Sequence, residues 1–359
     1  MAGSTPREAN GPITAGPPQE HPSAPNLALA WARFQARTIG LAGAFGGEAA
    51  FVTSRLPRHP ALLPLRYLSC TQRTWSLLRR GRPKVVLAVT PPVVLPLLAW
   101  SWCRWTGAAL VVDCHTDTFH APKWAWAQPL LRRLFAGCRA VLVHTEEAEE
   151  LVRSWNVPVM LLPDDVPDAS EAEERTPGSR PTVLVAGSLD ENEPVAEAIE
   201  AARALADCEV RFTGDFRVLP ADVRAGAPAN VVFTGYLPYR RFLGEMLAAD
   251  VVAVLSTDPH IMNRAAFEAA GLGRPLVLSD LAGLRRRFGD GPLYTGNEPR
   301  VMAASIRTAL AEASTLARRS QALGERLRAQ REGALNDLRR RLFGVRPGAV
   351  GVGATGSEP

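Results

Sequence analysis

The chain has 359 residues, enough for two domains rather than one core. It is 47% hydrophobic and 21% charged, and 41 Lys/Arg against 36 Asp/Glu leave a formal charge of +5, basic without being extreme. Five cysteines (Cys70, Cys103, Cys114, Cys138, Cys208) form no C-x-x-C pair and stand in or beside apolar segments, which excludes a disulfide-stapled secreted protein and a zinc ribbon.

Residues 1–25 hold six Pro with Gly, Ser and Thr, lack the apolar core of a signal peptide and are expected to be a disordered tail. A truncated first strand followed by a helix is expected over 31–46. Residues 49–112 carry nine Lys/Arg, no Asp or Glu, and Trp75, Trp100, Trp102 and Trp105. Such a mixture suits an anionic membrane surface, or equally a solvated basic face on helices that pack their Trp inward. No RNA- or DNA-binding motif accompanies it, so nucleic acid is not an expected partner.

Residues 85–102 are 18 in a row without a charge, the length at which a membrane span must be considered. Pro91, Pro92 and Pro96 break any single helix there, so the segment reads as a buried strand (85–89), a turn, and an apolar helix from about 94 to 104. Further strands are expected at 110–112, 141–143 and 159–162, with helices at 65–80, 126–136 and 146–155. The acidic, Pro-rich stretch 163–181 interrupts the pattern as a linker. Strands then recur at 182–186, 209–213, 231–234, 250–255 and 276–278, with helices at 194–206, 240–248 and 264–270. A last long helix runs from 299, with breaks expected near Ser314 and Gly324. The alternation predicts an α/β fold of two successive Rossmann-like domains. Expected boundaries are 26–163 for the first domain, 164–181 for the linker, 182–343 for the second, and 344–359 for a Gly-rich tail.

Two constellations carry chemistry. In the second half, the apolar strand ending near Ser256 leads through His260 to a helix expected to start at Asn263, a favoured N-cap. The amides of that helix end and Arg264 suit a phosphate. Glu268, at i+4 from Arg264, is either a helix-surface partner of it or a carboxylate placed to hold a ribose diol at the sheet's carboxyl edge. In the first half, Asp113-x-His115-x-Asp117 follows a buried strand. It reads as an acid–base or metal-binding set, or as a polar strand end with a capping Asp.

Taken with Gly235-Tyr236, Asn297-Glu298 and the G-x-P turn at Gly273–Pro275, the stretch 258–280 resembles the donor domain of GT-B glycosyltransferases of the family-4-like, group 1 kind. In that family a Glu, seven residues, and a second Glu followed by Ala and G-x-P bind the nucleotide sugar. Glu268-Ala269 matches the second Glu, which holds the ribose, whereas His260 replaces the first, which contacts the donor sugar. The loop at 187–193 resembles the one that opens the donor domain but lacks its Arg and Lys. The resemblance therefore leaves the diphosphate to the amides of Gly187 and Ser188, to Arg264, or to the first domain. Thr213-Gly214 and Tyr236 lie where the family approaches the nucleotide. By the same resemblance, His115 faces the donor sugar, and Asp113 or Asp117 orients it or meets the acceptor.

The resemblance implies a GT-B fold, its two Rossmann-like domains facing a central cleft, and a metal-independent transferase with no cofactor, taking a nucleotide-diphosphate sugar as donor. A lipid-linked or cell-envelope polysaccharide acceptor is expected, in the cytoplasm at the membrane's inner face. A non-catalytic homologue that binds a nucleotide sugar or a partner, and a sugar-nucleotide epimerase, are the alternatives.

Overall fold

The computed structural model describes residues 26–57, 59–176 and 178–344. The tails expected at 1–25 and beyond 344 lie outside the described residues.

The first unit is built from β1 (Asn26–Ala30), α1 (Ala36–Ala44), β2 (Glu48–Phe51), α2 (Leu63–Gly81), β3 (Val85–Thr90), α3 (Val94–Thr106), β4 (Ala109–Cys114), α4 (Asp117–His120), α5 (Gln128–Phe135), β5 (Ala140–Val143), α6 (Glu146–Arg153) and β6 (Val159–Leu161). The second follows with β7 (Thr182–Val185), α7 (Val195–Arg203), β8 (Glu209–Thr213), α8 (Ala221–Ala225), β9 (Val231–Gly235), α9 (Tyr239–Ala248), β10 (Val251–Val254), α10 (Arg264–Gly271), β11 (Leu276–Ser279), α11 (Ala282–Phe288), β12 (Leu293–Thr295), α12 (Pro299–Ala311) and α13 (Ala313–Phe343).

Each unit holds one six-stranded sheet, ordered β2-β1-β3-β4-β5-β6 and β12-β11-β10-β7-β8-β9, with every pairing parallel. Central strands such as β3 and β5 are buried along their whole length, as their unbroken Val/Leu/Ala runs require when helices cover both faces. The strand order reverses between β1 and β3 in one sheet and between β7 and β10 in the other. Loops at the carboxyl ends of the strands part at those points and leave a crevice.

The segment 85–102 divides as its prolines dictate, into β3 and most of α3, and no helix among the described residues is long and apolar enough to cross a membrane. All five cysteines are free and buried. The Trp-rich stretch faces both ways: Trp102 is buried, while Trp105 is 70% exposed and stacks on Trp75 at 6.2 Å.

Two expectations about the C-terminus are corrected. A break does fall at Glu312, beside Ser314, but α13 runs unbroken through Gly324. There the missing side chain permits close packing, since a Cβ would meet the Ala270 carbonyl oxygen at 2.4 Å. The end of α13, expected with the second domain, returns to the first: Leu335 and Leu338 join the core under β1 and β3, and Arg339 donates to the Ala44 carbonyl at 2.8 Å. The expected linker also starts as a welded segment, because Asp165 pairs with Arg331 of α13 at 3.0 Å and Asp164 is buried in the first unit.

Candidate active site

A cavity of about 470 Å³ lies where the carboxyl ends of the first sheet meet the β10–α10 loop. Gln35 and Arg37 reach it from beyond β1, Pro91 from β3, His115 and Asp117 from β4, His144 from β5 and Asp164 from β6, while Ile261, Met262 and Arg264 close it from the second unit.

The first-unit wall is organised by Arg37, a lone cation on the apolar helix α1. Its guanidinium donates to both Asp113 oxygens (3.1 and 3.2 Å), to Asp164 Oδ1 (2.9 Å) and to the Leu162 and Pro163 carbonyls (2.9 and 3.2 Å). Burial would raise the Asp113 carboxyl, but Arg37, aided by His144 and His115, holds it well below the usual carboxylate range. Burial likewise opposes ionisation of Asp164, and Arg37 again reverses the sign. Asp113 is fully buried, so the expected encounter between this residue and an acceptor does not occur. It shapes the wall instead.

His115 and His144 stand against that wall with ring centroids 4.6 Å apart. His115 Nε2 is 4.0 Å from Asp113 Oδ2, too far for the direct orienting hydrogen bond expected between them. Burial and the adjacent His144 lower the His115 pKa to about 4, so the imidazole is neutral at pH 7. The Thr38 hydroxyl donates to Gln35 Oε1 at 2.8 Å, which turns Gln35 Nε2 toward His115 Nε2 at 3.4 Å. An amide donor there favours the tautomer with its proton on Nδ1. His144 Nε2 lies 3.5 Å from Asp113 Oδ1, and this contact adds to the depression of that carboxyl. Asp113, His115 and His144 come close enough to share a cation. Arg37 already saturates both Asp113 oxygens, however, and places a positive charge where the ion would sit. Asp117 is exposed at the cavity rim.

On the opposite side, Arg264 donates to Glu268 Oε1 at 2.8 Å and lies 5.4 Å above the Tyr239 ring. Burial of Glu268 raises its pKa and Arg264 opposes the rise. This pair is therefore no surface ornament: Glu268 is buried while Arg264 lines the cavity. Asn263 sits at the N-cap position, but its side chain makes no capping hydrogen bond and its Oδ1 is buried without a partner. That differs from the expected cap and leaves an acceptor unused beside Arg264.

The remaining donor-side expectations fare differently. The Ser188 and Leu189 amides are taken by the carboxylate of Glu193, at 2.9 and 3.1 Å, and the Gly187 amide donates to Thr213 Oγ1 at 3.0 Å. The loop amides expected to receive phosphate thus hold the protein's own side chains. Gly214, at φ +98, packs so closely on this loop that a Cβ would lie 2.7 Å from the Ser188 carbonyl carbon. Tyr236 is 77% exposed and does not line the cavity. His260 lies at the cleft mouth, with Nδ1 3.0 Å from Glu147 Oε2 of the first unit.

Arg37, His144 and Asp164 were not expected at the site, and Glu193 was expected only as a loop carboxylate complementing the helix dipole. A single Arg in an apolar helix and a His directly after a buried parallel strand were legible signals. Asp164 was hidden by the linker-like composition around it.

Comparison with known proteins places this geometry. Residues 24–163 match the model described as Glycosyltransferase Family 4, and residues 180–312 match that described as Glycosyl transferases group 1. No curated protein matches the sequence. Among solved structures, Anabaena HepE in complex with UDP and glucose is 15% identical, with 88% of this chain and 99% of that one covered and a TM-score of 0.67. Sucrose-phosphate synthase from Thermosynechococcus elongatus is also 15% identical, covering 89% of this chain and 99% of its own at a TM-score of 0.69. A glycosyltransferase from Rickettsia africae is 11% identical, with 89% and 99% covered and a TM-score of 0.66.

Proposed function

We propose that this chain, which belongs to the family 4, group 1 glycosyltransferases of GT-B fold, transfers a sugar from a nucleotide-diphosphate donor to a hydroxyl of a lipid-linked or cell-envelope polysaccharide acceptor. The observation that carries the reading is the cavity between the units, in which neutral His115 faces Arg264 and its buried partner Glu268 lies one helical turn behind.

In this reading Arg264 swings from Glu268 toward the diphosphate, whose charge grows as the bond to the anomeric carbon breaks. The Glu268 carboxylate, buried behind it in the free chain, is thereby uncovered to accept hydrogen bonds from the two hydroxyls of the donor ribose. His115, uncharged, contacts the sugar as a hydrogen-bonding group. Retention of configuration, which the family resemblance implies, sends the acceptor proton to the departing diphosphate, and the low basicity of His115 agrees with that route.

Support for the acceptor class comes from a second cavity, of about 770 Å³, that shares Pro91 with the first. Arg33, Arg55, Arg66 and Lys123 line it together with Trp31, Tyr67 and Trp124, and among the described residues no carboxylate does. Arg66 Nε is buried there without a partner, and exposed Leu56 and Leu63 border the opening. Cations for a phosphate beside an apolar lip suit a lipid phosphate at the inner face of a membrane. At the other end of α2, Arg79, Arg82 and Lys84 line a surface hollow with Trp102 and Trp105.

Glu193 on the loop amides favours a second reading, a homologue that binds a nucleotide sugar or partner without turnover. Nucleoside diphosphate release on mixing with donor sugars and lipid-phosphate acceptors separates the two. Acceptor-dependent release that is lost in Glu268→Ala supports transfer. No release with any donor, alongside intact nucleotide binding, supports the second reading.

A further inference from the structure

His260 occupies the chain position at which the family resemblance implies a Glu, and the structure turns it away from the cavity toward the first unit. Its Nδ1 lies 3.0 Å from Glu147 Oε2, at the start of α6, and its ring stacks on that of His120, at the end of α4, with centroids 4.0 Å apart and planes 12° from parallel. His120 Nε2 is 4.0 Å from the other Glu147 oxygen, Oε1. One nitrogen from each imidazole and one carboxylate oxygen all fall within 4.8 Å of one another.

All three donors stand on anchored backbone. The His260 amide donates to Asp258 Oδ1 at 2.9 Å, and Thr257 just before it donates to the Asn192 carbonyl at 2.8 Å. The α6 helix is pinned to α11 across the cleft by Glu146 with Arg287 at 2.9 Å and by Glu150 with Arg286. The His120 amide donates to the Thr116 carbonyl at 3.2 Å.

We propose that His120, Glu147 and His260 form a binding site for a divalent transition-metal ion of the zinc class, one that ties the two units together at the mouth of the cleft. Nitrogen and oxygen donors about 2.0–2.2 Å from a tetrahedral zinc ion lie roughly 3.3 Å from each other. The observed separations, 3.0 Å to Glu147 Oε2 and 4.0 Å to Oε1, bracket that spacing, and ion binding requires the two rings, now 12° from parallel, to rotate out of their stack so that their lone pairs converge. Two imidazoles with one carboxylate select zinc-like ions over magnesium or calcium, which take oxygen. Water fills the fourth position. Without an ion, one carboxylate serves two facing imidazoles; the ion gives both a partner. Because the ligands come from both units, ion binding holds the cleft closed. The site stands apart from the chemistry assigned to the cavity and does not rest on the transfer reading.

The test is calorimetric titration of the chelator-stripped, untagged full chain with zinc chloride, with magnesium chloride in parallel. The site predicts one zinc per chain, no magnesium, and a zinc-dependent rise in thermal midpoint. His260→Ala and Glu147→Gln should each weaken zinc binding at least tenfold while melting like the parent chain in the absence of zinc. His115→Gln, at the other histidine cluster, should keep full affinity. Failure of the parent chain to bind zinc, unchanged affinity in His260→Ala, or loss in His115→Gln alone would each overturn the proposal.

Discussion

Arg37 grips both oxygens of Asp113, at 3.1 and 3.2 Å, across 76 residues of sequence. With Asp164 on its other edge, the cation compensates two buried carboxylates in a wall that burial alone would not tolerate. Arg37→Met keeps the packing and removes the charge, leaving both carboxylates uncompensated. Breaking such a buried network costs about 3–5 kcal/mol, which denaturant unfolding will read as a much lower midpoint. Arg217→Ala, which breaks the exposed pair with Asp215, should leave that midpoint where it is.

Acid should unfold the protein in two stages. The His115 imidazole titrates at about 4 in the folded chain, where burial and His144 disfavour its charge, and at about 6.5 when unfolded. Between those values the unfolded chain binds more protons, so stability is complete above pH ~6.5 and falls as pH drops toward 4. The depressed Asp113 carboxyl adds a second loss only below its unfolded pKa of about 3.9. Urea midpoints measured from pH 7 down to 3 should show both limbs. His115→Gln should remove the upper limb and keep the lower one.

Glu193 competes for the amides that a donor phosphate would use. In Glu193→Ala the Ser188 and Leu189 amides are free, and affinity for a nucleoside diphosphate should rise severalfold, measured by calorimetry. Unchanged or weaker binding would mean that phosphate never visits this loop, leaving Arg264 as its principal partner.

A basic, Trp-bearing face predicts salt-sensitive attachment to lipid. Sedimentation with anionic vesicles should deplete the protein from solution at low salt and release it at high salt, with neutral vesicles capturing little. Trp105→Ala combined with Arg79→Ala should weaken capture without altering nucleotide binding, since neither residue lines the central cavity.

Much of the layout was legible because parallel strands and their covering helices write their periods locally. The helix expected at 264–270 is found at Arg264–Gly271, and the strand at 85–89 at Val85–Thr90. Three strands were not: β1, expected as a truncated strand within 31–46, is the fully buried Asn26–Ala30, β12 has three residues, and no residue of the edge strand β2 is buried. The site divides the same way. Glu268 and His115 announced themselves by position after a strand or on a helix. Arg37 gains its meaning only from Asp113 and Asp164, which are remote in sequence, and the Glu193 carboxylate reaches the loop amides to which the family resemblance assigned phosphate. His260 stood out as a departure from a motif, but its partners His120 and Glu147 come from the other unit.

The central claim is that a nucleotide-diphosphate sugar binds between these units through Glu268. Thermal unfolding in the presence of UDP, GDP, ADP, dTDP and NAD tests it most directly. At ~100 times its dissociation constant a bound ligand stabilises the fold by about 2.7 kcal/mol, a readable shift in midpoint. The account predicts a shift with one nucleoside diphosphate, none with NAD, and loss of that shift in Glu268→Ala. No shift with any diphosphate, or a shift that survives Glu268→Ala intact, would contradict it.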